Sequence, residues 1–136
     1  MTLKFLGDVP ENKLENVKNK LIKLKFNSFE VELGDLGVFD KEQIRIVWVE
    51  LRGLGLFELQ NKIDRELKEF FPAETRFMGH ITIARPKYVK DSRIFINKLK
   101  TIKFEKISFV VDKIKLYKSD LTPHGPVYSC LLELDI

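Results

Sequence analysis

The segment Gly79-His80-Ile81-Thr82-Ile83-Ala84-Arg85 constrains this chain more than any other. Apolar and polar residues alternate along it with period two, the pattern of a half-buried β-strand. His80 and Thr82 then share one face, and Ile81 and Ile83 turn the other way, toward a core. A rise of roughly 3.3 Å per residue sets the imidazole and the hydroxyl about 7 Å apart on a rigid strand. Such a pair can grip one small anion. Met1-Thr2-Leu3-Lys4-Phe5-Leu6-Gly7 echoes this segment, as a partner strand that begins one residue too late to carry its own histidine.

Around these segments the pattern predicts a β-α-β-β-α-β-α-β-β order. A strand at Thr2 to Leu6 precedes Gly7-Asp8-Val9-Pro10, where Asp8 or a neighbour caps a helix. Leu14, Val17, Leu21 and Leu24 recur at helical spacing to about Lys25. Phe29, Val31 and Leu33 alternate with Glu30 and Glu32 as a strand, which Gly34 and Gly37 break. The run from Ile44 to Val49 is apolar enough for a central strand. Leu56, Leu59, Ile63, Leu67 and Phe70 form the stripe of a helix ended by Pro72. Asp91 caps a third helix, and strands from about Phe104 to Lys118 and Val127 to Leu134 close the chain. Setting the 56–71 helix aside, the second half repeats the first. The expected fold is therefore α+β: two pseudo-symmetric lobes of mainly antiparallel sheet, with outer helices, facing each other across a central groove.

With 136 residues, 44% of them hydrophobic, a single bilobal domain over residues 1–136 is expected. No apolar run approaches the ~20 residues of a membrane span. The N-terminus lacks the apolar core of a signal peptide. Cys130 stands alone among apolar residues, so a buried free thiol and a cytoplasmic location are expected. The net charge of +4 suits a polyanionic partner. No GxxxxGK[ST] loop is present, and no Cys/His cluster has zinc spacing.

His80-Ile81-Thr82-Ile83 matches the HxTx motif, and Arg85 its extended form. Thr2-Leu3-Lys4-Phe5-Leu6-Gly7 looks like the remainder of a first motif commonly written HxTLKFLG. Ser119-Asp120-Leu121-Thr122-Pro123-His124-Gly125-Pro126-Val127-Tyr128 is similar to a closing hairpin. Together these segments resemble the two-histidine phosphoesterases, and within them the RNA 2′,3′-cyclic phosphodiesterases, also called 2′-5′ RNA ligases. The resemblance runs in order over essentially the whole chain.

That resemblance implies hydrolysis of RNA 2′,3′-cyclic phosphodiester ends to 2′-phosphomonoesters, or its reverse, 2′-5′ ligation of tRNA halves. It implies no metal and no cofactor. His80 would be the proton acceptor, a first-motif histidine the donor, and Thr2 and Thr82 the holders of the phosphoryl oxygens. Arg85 would add a charge-assisted contact. The family's first histidine would stand two residues before Thr2, and the family usually carries a strand and a helix ahead of this point. An N-terminally incomplete chain of weak activity is therefore expected.

Taken without the resemblance, His80 is as compatible with a hydrogen-bonded structural histidine as with a catalytic one, Thr2 is a β-branched strand residue, and Arg85 is a surface residue. Phe5, Phe39 and Trp48 can stack a base or pack in a core. Tyr128 can line the groove. His124, in a Pro-Gly turn, can touch substrate at the groove mouth but does not replace a strand histidine. The expected partner is RNA, as tRNA-like ends or 2′,3′-cyclic nucleotides, bound by a monomer with no membrane contact. The alternative function is a non-catalytic RNA-binding module that keeps the phosphate groove.

Overall fold

The computed structural model describes residues 1–135. Its elements run α1 (Glu11–Leu21), β1 (Phe29–Val38), β2 (Val47–Arg52), α2 (Leu54–Leu67), β3 (His80–Ala84), α3 (Ser92–Thr101), β4 (Ser108–Val111), β5 (Lys113–Thr122) and β6 (Gly125–Asp135). Four strands form an antiparallel sheet in the order β3-β2-β1-β4, and β5 and β6 form a separate antiparallel hairpin. The fold is α+β with antiparallel sheets, as the pattern predicts.

Alternation decides which face of each sheet meets the helices. On β2, Val47, Val49 and Leu51 are buried, and Trp48 and Glu50 are only half-buried. Val31 and Leu51 pack with Leu56 at the start of α2, joined by Ile81 and Val111. The hairpin buries Ile114, Leu116, Leu132 and Leu134 against Val17 and Leu21 of α1 and Leu59, Ile63 and Leu67 of α2. Phe29 touches both clusters. One apolar stripe on α2, with Leu56, Leu59, Ile63 and Leu67 three to four residues apart, thus ties the two sheets together.

Several expectations are corrected. Thr2 to Leu6 is not a strand, because it joins neither sheet's ladder; it is held by side chains instead. The helix starting at Glu11 receives no side-chain cap from Asp8 and ends at Leu21 rather than near Lys25. The α2 helix stops at Leu67, before Pro72, where the N–H groups of Phe70 and Phe71 both reach the Leu67 carbonyl at 2.9 and 3.0 Å. Gly34 and Gly37 do not end β1; the register shifts between Leu33 and Leu36 and the strand continues to Val38. The strand expected at Ile44 begins at Val47, and the long strand expected from Phe104 is split at Asp112 between the two sheets. Cys130 is free but exposed: beyond the register shift at Leu116 it pairs with Tyr117 instead of joining Leu116 and Leu132 in the core. The Asp91 cap is present, its carboxylate accepting from the Ile94 N–H at 2.9 Å.

Candidate functional site

The site is built on β3 and its neighbour β2. The Leu51 N–H donates to the Gly79 carbonyl at 2.8 Å, extending the ladder one residue ahead of His80. A Cβ at Gly79 would meet the Leu51 oxygen at 2.9 Å, so glycine permits the close approach that fixes where β3 begins. His80 then pairs with Glu50 and Thr82 with Trp48, on the face that lies opposite Ile81 and Val49. His80 and Thr82 therefore share one face, and both are half-buried.

The His80 ring is held from two sides. Its Nδ1 lies 2.9 Å from the Met78 carbonyl oxygen. A carbonyl can only accept, so Nδ1 carries the hydrogen and Nε2 of the neutral ring keeps its lone pair. The Phe39 ring meets the imidazole edge-on, with centroids 5.0 Å apart and planes at 87°. Phe39 also packs at 5.6 Å on Trp48, whose indole lies so close over Gly37 that a Cβ there would sit 2.2 Å from it. The turn after Phe39 is closed by the Asp40 carboxylate, which accepts from the N–H groups of Glu42 and Gln43 at 2.8 and 2.9 Å. Those bonds hold the Asp40 carboxyl below the usual range. Beside His80, Glu50 accepts from Arg52 Nε at 2.8 Å, and Arg52 also reaches Asp35 at 2.7 Å.

The other candidates are distributed differently. Arg85 is exposed, one residue beyond the end of β3. Thr2 is exposed in the non-strand N-terminal segment, and Phe5 is 85% exposed there. Leu3 and Leu6 pack on the α1–α2–hairpin cluster. Between them Lys4 pairs with Asp64 of α2 and donates to the Pro72 carbonyl at 2.7 Å. Asp64 also accepts from Gln60 and from the Glu74 N–H, each at 2.8 Å. Burial pushes the Asp64 carboxyl up, but the Lys4 ammonium and these two donors outweigh it and hold it below the usual range. His124 is exposed in the hairpin turn, its N–H on the Thr122 hydroxyl at 3.2 Å. Tyr128 is exposed on β6 beside Tyr117.

The structure thus brings His80 and Thr82 together with Arg85 close behind, and leaves Thr2 on the segment packed against α2. Sequence reasoning missed the Met78 carbonyl and the Glu50 neighbour, which only strand register places. It also missed the Lys4–Asp64 pair, although an acid beside the Ile63 stripe and four residues after Gln60 was the available signal. Among the described residues, no group of three or more His, Cys, Asp or Glu side chains is arranged to hold a metal ion.

Residues 1–48 and 52–128 match the family described as LigT like Phosphoesterase. This chain belongs to that family. A Methanocaldococcus jannaschii protein named RNA 2′,3′-cyclic phosphodiesterase is 34% identical over 138 residues, spanning 98% of this chain and 78% of that protein. A Thermotoga maritima protein of the same name is also 34% identical, over 98% of this chain and 73% of its own length. In fold, this LigT-like chain is similar to a Thermus thermophilus protein with a TM-score of 0.74 and 24% identity, covering 98% of this chain and 75% of that one. It is likewise similar to Escherichia coli LigT solved with 3′-AMP, at a TM-score of 0.73 and 21% identity, covering 99% and 74%. His80 and Thr82 of this LigT-like chain share the face of β3 opposite Ile81 and Val49.

Proposed function

We propose that this chain hydrolyses RNA 2′,3′-cyclic phosphate ends to 2′-phosphomonoesters on the face that carries His80 and Thr82. The observation that carries the reading is the Nδ1 hydrogen bond to the Met78 carbonyl, which leaves Nε2 of His80 open as a base. Water gives a proton to Nε2 while its oxygen attacks phosphorus. The P–O3′ bond breaks, O3′ takes a proton from solvent while the proton on Nε2 later returns to solvent, and the phosphate stays on O2′. Thr82 donates to a non-bridging oxygen, Arg85 offsets the growing charge, and Thr2 contributes a second hydroxyl from the N-terminal segment. Phe5, Tyr128 and His124 would border the groove.

The chain has two histidines, and the second, His124, is exposed in the hairpin turn. The reading therefore places one imidazole at the phosphate. A missing acid or base partner costs about 10²–10⁴-fold in rate, so slow turnover is expected. That same single imidazole favours a second reading, an RNA-binding module without turnover. Relatives named RNA 2′,3′-cyclic phosphodiesterase at 34% identity support the first.

The proposal extends to residues 1–136 as one bilobal domain, to tRNA-like ends as substrate, to accompanying 2′-5′ ligation, and to a monomer acting in the cytoplasm. Among the described residues no helix is long and apolar enough to cross a membrane. The test is incubation with cytidine 2′,3′-cyclic phosphate followed by ³¹P NMR. Appearance of the 2′-monoester supports the enzyme. Salt-sensitive RNA binding with the cyclic ester intact supports the binding module instead.

A further inference from the structure

We infer that the helix-free face of the β5–β6 hairpin is a stacking platform for unpaired RNA bases upstream of the cyclic-phosphate end; this rests on the RNA reading above. The hairpin has two distinct faces. Ile114, Leu116, Leu132 and Leu134 pack on the helices, and the register shift after Leu116 puts Tyr117 opposite Cys130 and Ser119 opposite Tyr128 on the other face. Tyr117 and Tyr128 are 51% and 63% exposed, yet they contact each other edge-to-face, with centroids 6.3 Å apart and planes at 78°. Leu121, opposite Pro126, continues the same row toward the turn and is 87% exposed.

The occupant follows from charge. Lys113 pairs with Glu133 and Asp135, Lys115 with Glu133, and Lys118 with Asp120. The hairpin's lysines are therefore committed to its own carboxylates and hold no phosphate backbone. What stays open is ring surface, and every base presents a π-face to which a tyrosine can stack. The strand order β3-β2-β1-β4 puts three spacings, about 14 Å, between His80's strand and β4. β5 resumes from β4 after the single residue Asp112. An RNA whose cyclic 3′ end lies at His80 has all its other nucleotides upstream of that end; these are the ones the tyrosines stack, and a strand paired to its last base cannot use them. The substrate class is an RNA with a single-stranded 3′ end.

The test is equilibrium binding of a fluorescein-labelled single-stranded RNA octamer ending in a 2′,3′-cyclic phosphate, measured by anisotropy with the His80→Ala chain so that nothing turns over. Tyr117→Ala and Tyr128→Ala should each weaken binding at least about fivefold. Tyr117→Phe and Tyr128→Phe should keep it, because stacking needs the ring and not the hydroxyl. The same octamer paired to its final base should bind as weakly as to the alanine variants. Unchanged binding by the alanine variants overturns the proposal, and so does equal binding of paired and unpaired RNA. A dimer that the alanine substitutions dissolve would overturn it too, by assigning the face to a second copy. Failure to turn over cytidine 2′,3′-cyclic phosphate bears on the catalytic reading and leaves this binding result standing.

Discussion

The two threonine segments of this chain have similar sequences and different physical support. Thr82 sits inside a ladder: β3 pairs with β2, Gly79 lets the strands close, and the neighbouring His80 is pinned by Met78 and Phe39. Thr2 has no ladder. Its segment is tied down by Leu3 and Leu6 on the core and by the buried Lys4–Asp64 pair. A strand positions every second side chain on one face by its backbone alone. An extended segment without a partner positions a residue only as well as its neighbours' side chains allow. The difference teaches that a motif fixes residue types, while strand pairing fixes where those residues point.

The sharpest way to break the comparison is to remove the anchor of the weaker segment. Lys4→Met leaves the buried Asp64 carboxylate without its cation, with only the Gln60 amide and the Glu74 N–H donating to it, which should cost up to about 3–5 kcal/mol of stability in urea denaturation. Replacing both partners, as Lys4→Met with Asp64→Leu, should recover most of that loss. Acid acts on the same pair. The Asp64 carboxyl is held below its usual range, so its contribution is present above the unfolded carboxylate value and is lost as pH falls through the folded one. Wild-type stability should therefore drop below about pH 4, and the doubly substituted chain should show less of that drop in pH-dependent melting.

A smaller effect compares the threonines directly. Thr82→Val removes a hydroxyl that a ladder holds beside His80, and a hydrogen bond to a charged oxygen is worth about 1.5–3 kcal/mol. Turnover of a cyclic nucleotide should fall by about tenfold or more. Thr2→Val should cost less, because the unpaired segment presents its hydroxyl less consistently. Equal losses in steady-state kinetics would mean that the N-terminal segment is as well ordered around substrate as β3 is.

The legible part of this molecule was the part with strict periodicity. The His80 strand, the α2 stripe from Leu56 to Leu67 and the Asp91 cap follow from local pattern, whereas Ile83, expected to face a core, is exposed near the end of β3, and Phe70 lies past the end of α2. The Thr2 strand failed because alternation signals a half-buried strand without naming its partner, and here none pairs with it. Cys130 failed for a similar reason: one register shift after Leu116 moved it to the exposed face. The contacts that orient His80 come from a backbone carbonyl and from a phenylalanine just past the end of β1. Neither leaves a signal in local sequence.

The central claim is that His80, with Nδ1 bound to Met78 and Nε2 open, is the imidazole that does the chemistry, while His124 is a turn residue. Single-turnover hydrolysis of cytidine 2′,3′-cyclic phosphate by His80→Ala and His124→Ala tests it most directly. The account predicts a loss of about a hundredfold or more for the first and almost none for the second. An unchanged rate for His80→Ala, or an equal loss in both variants, would contradict it.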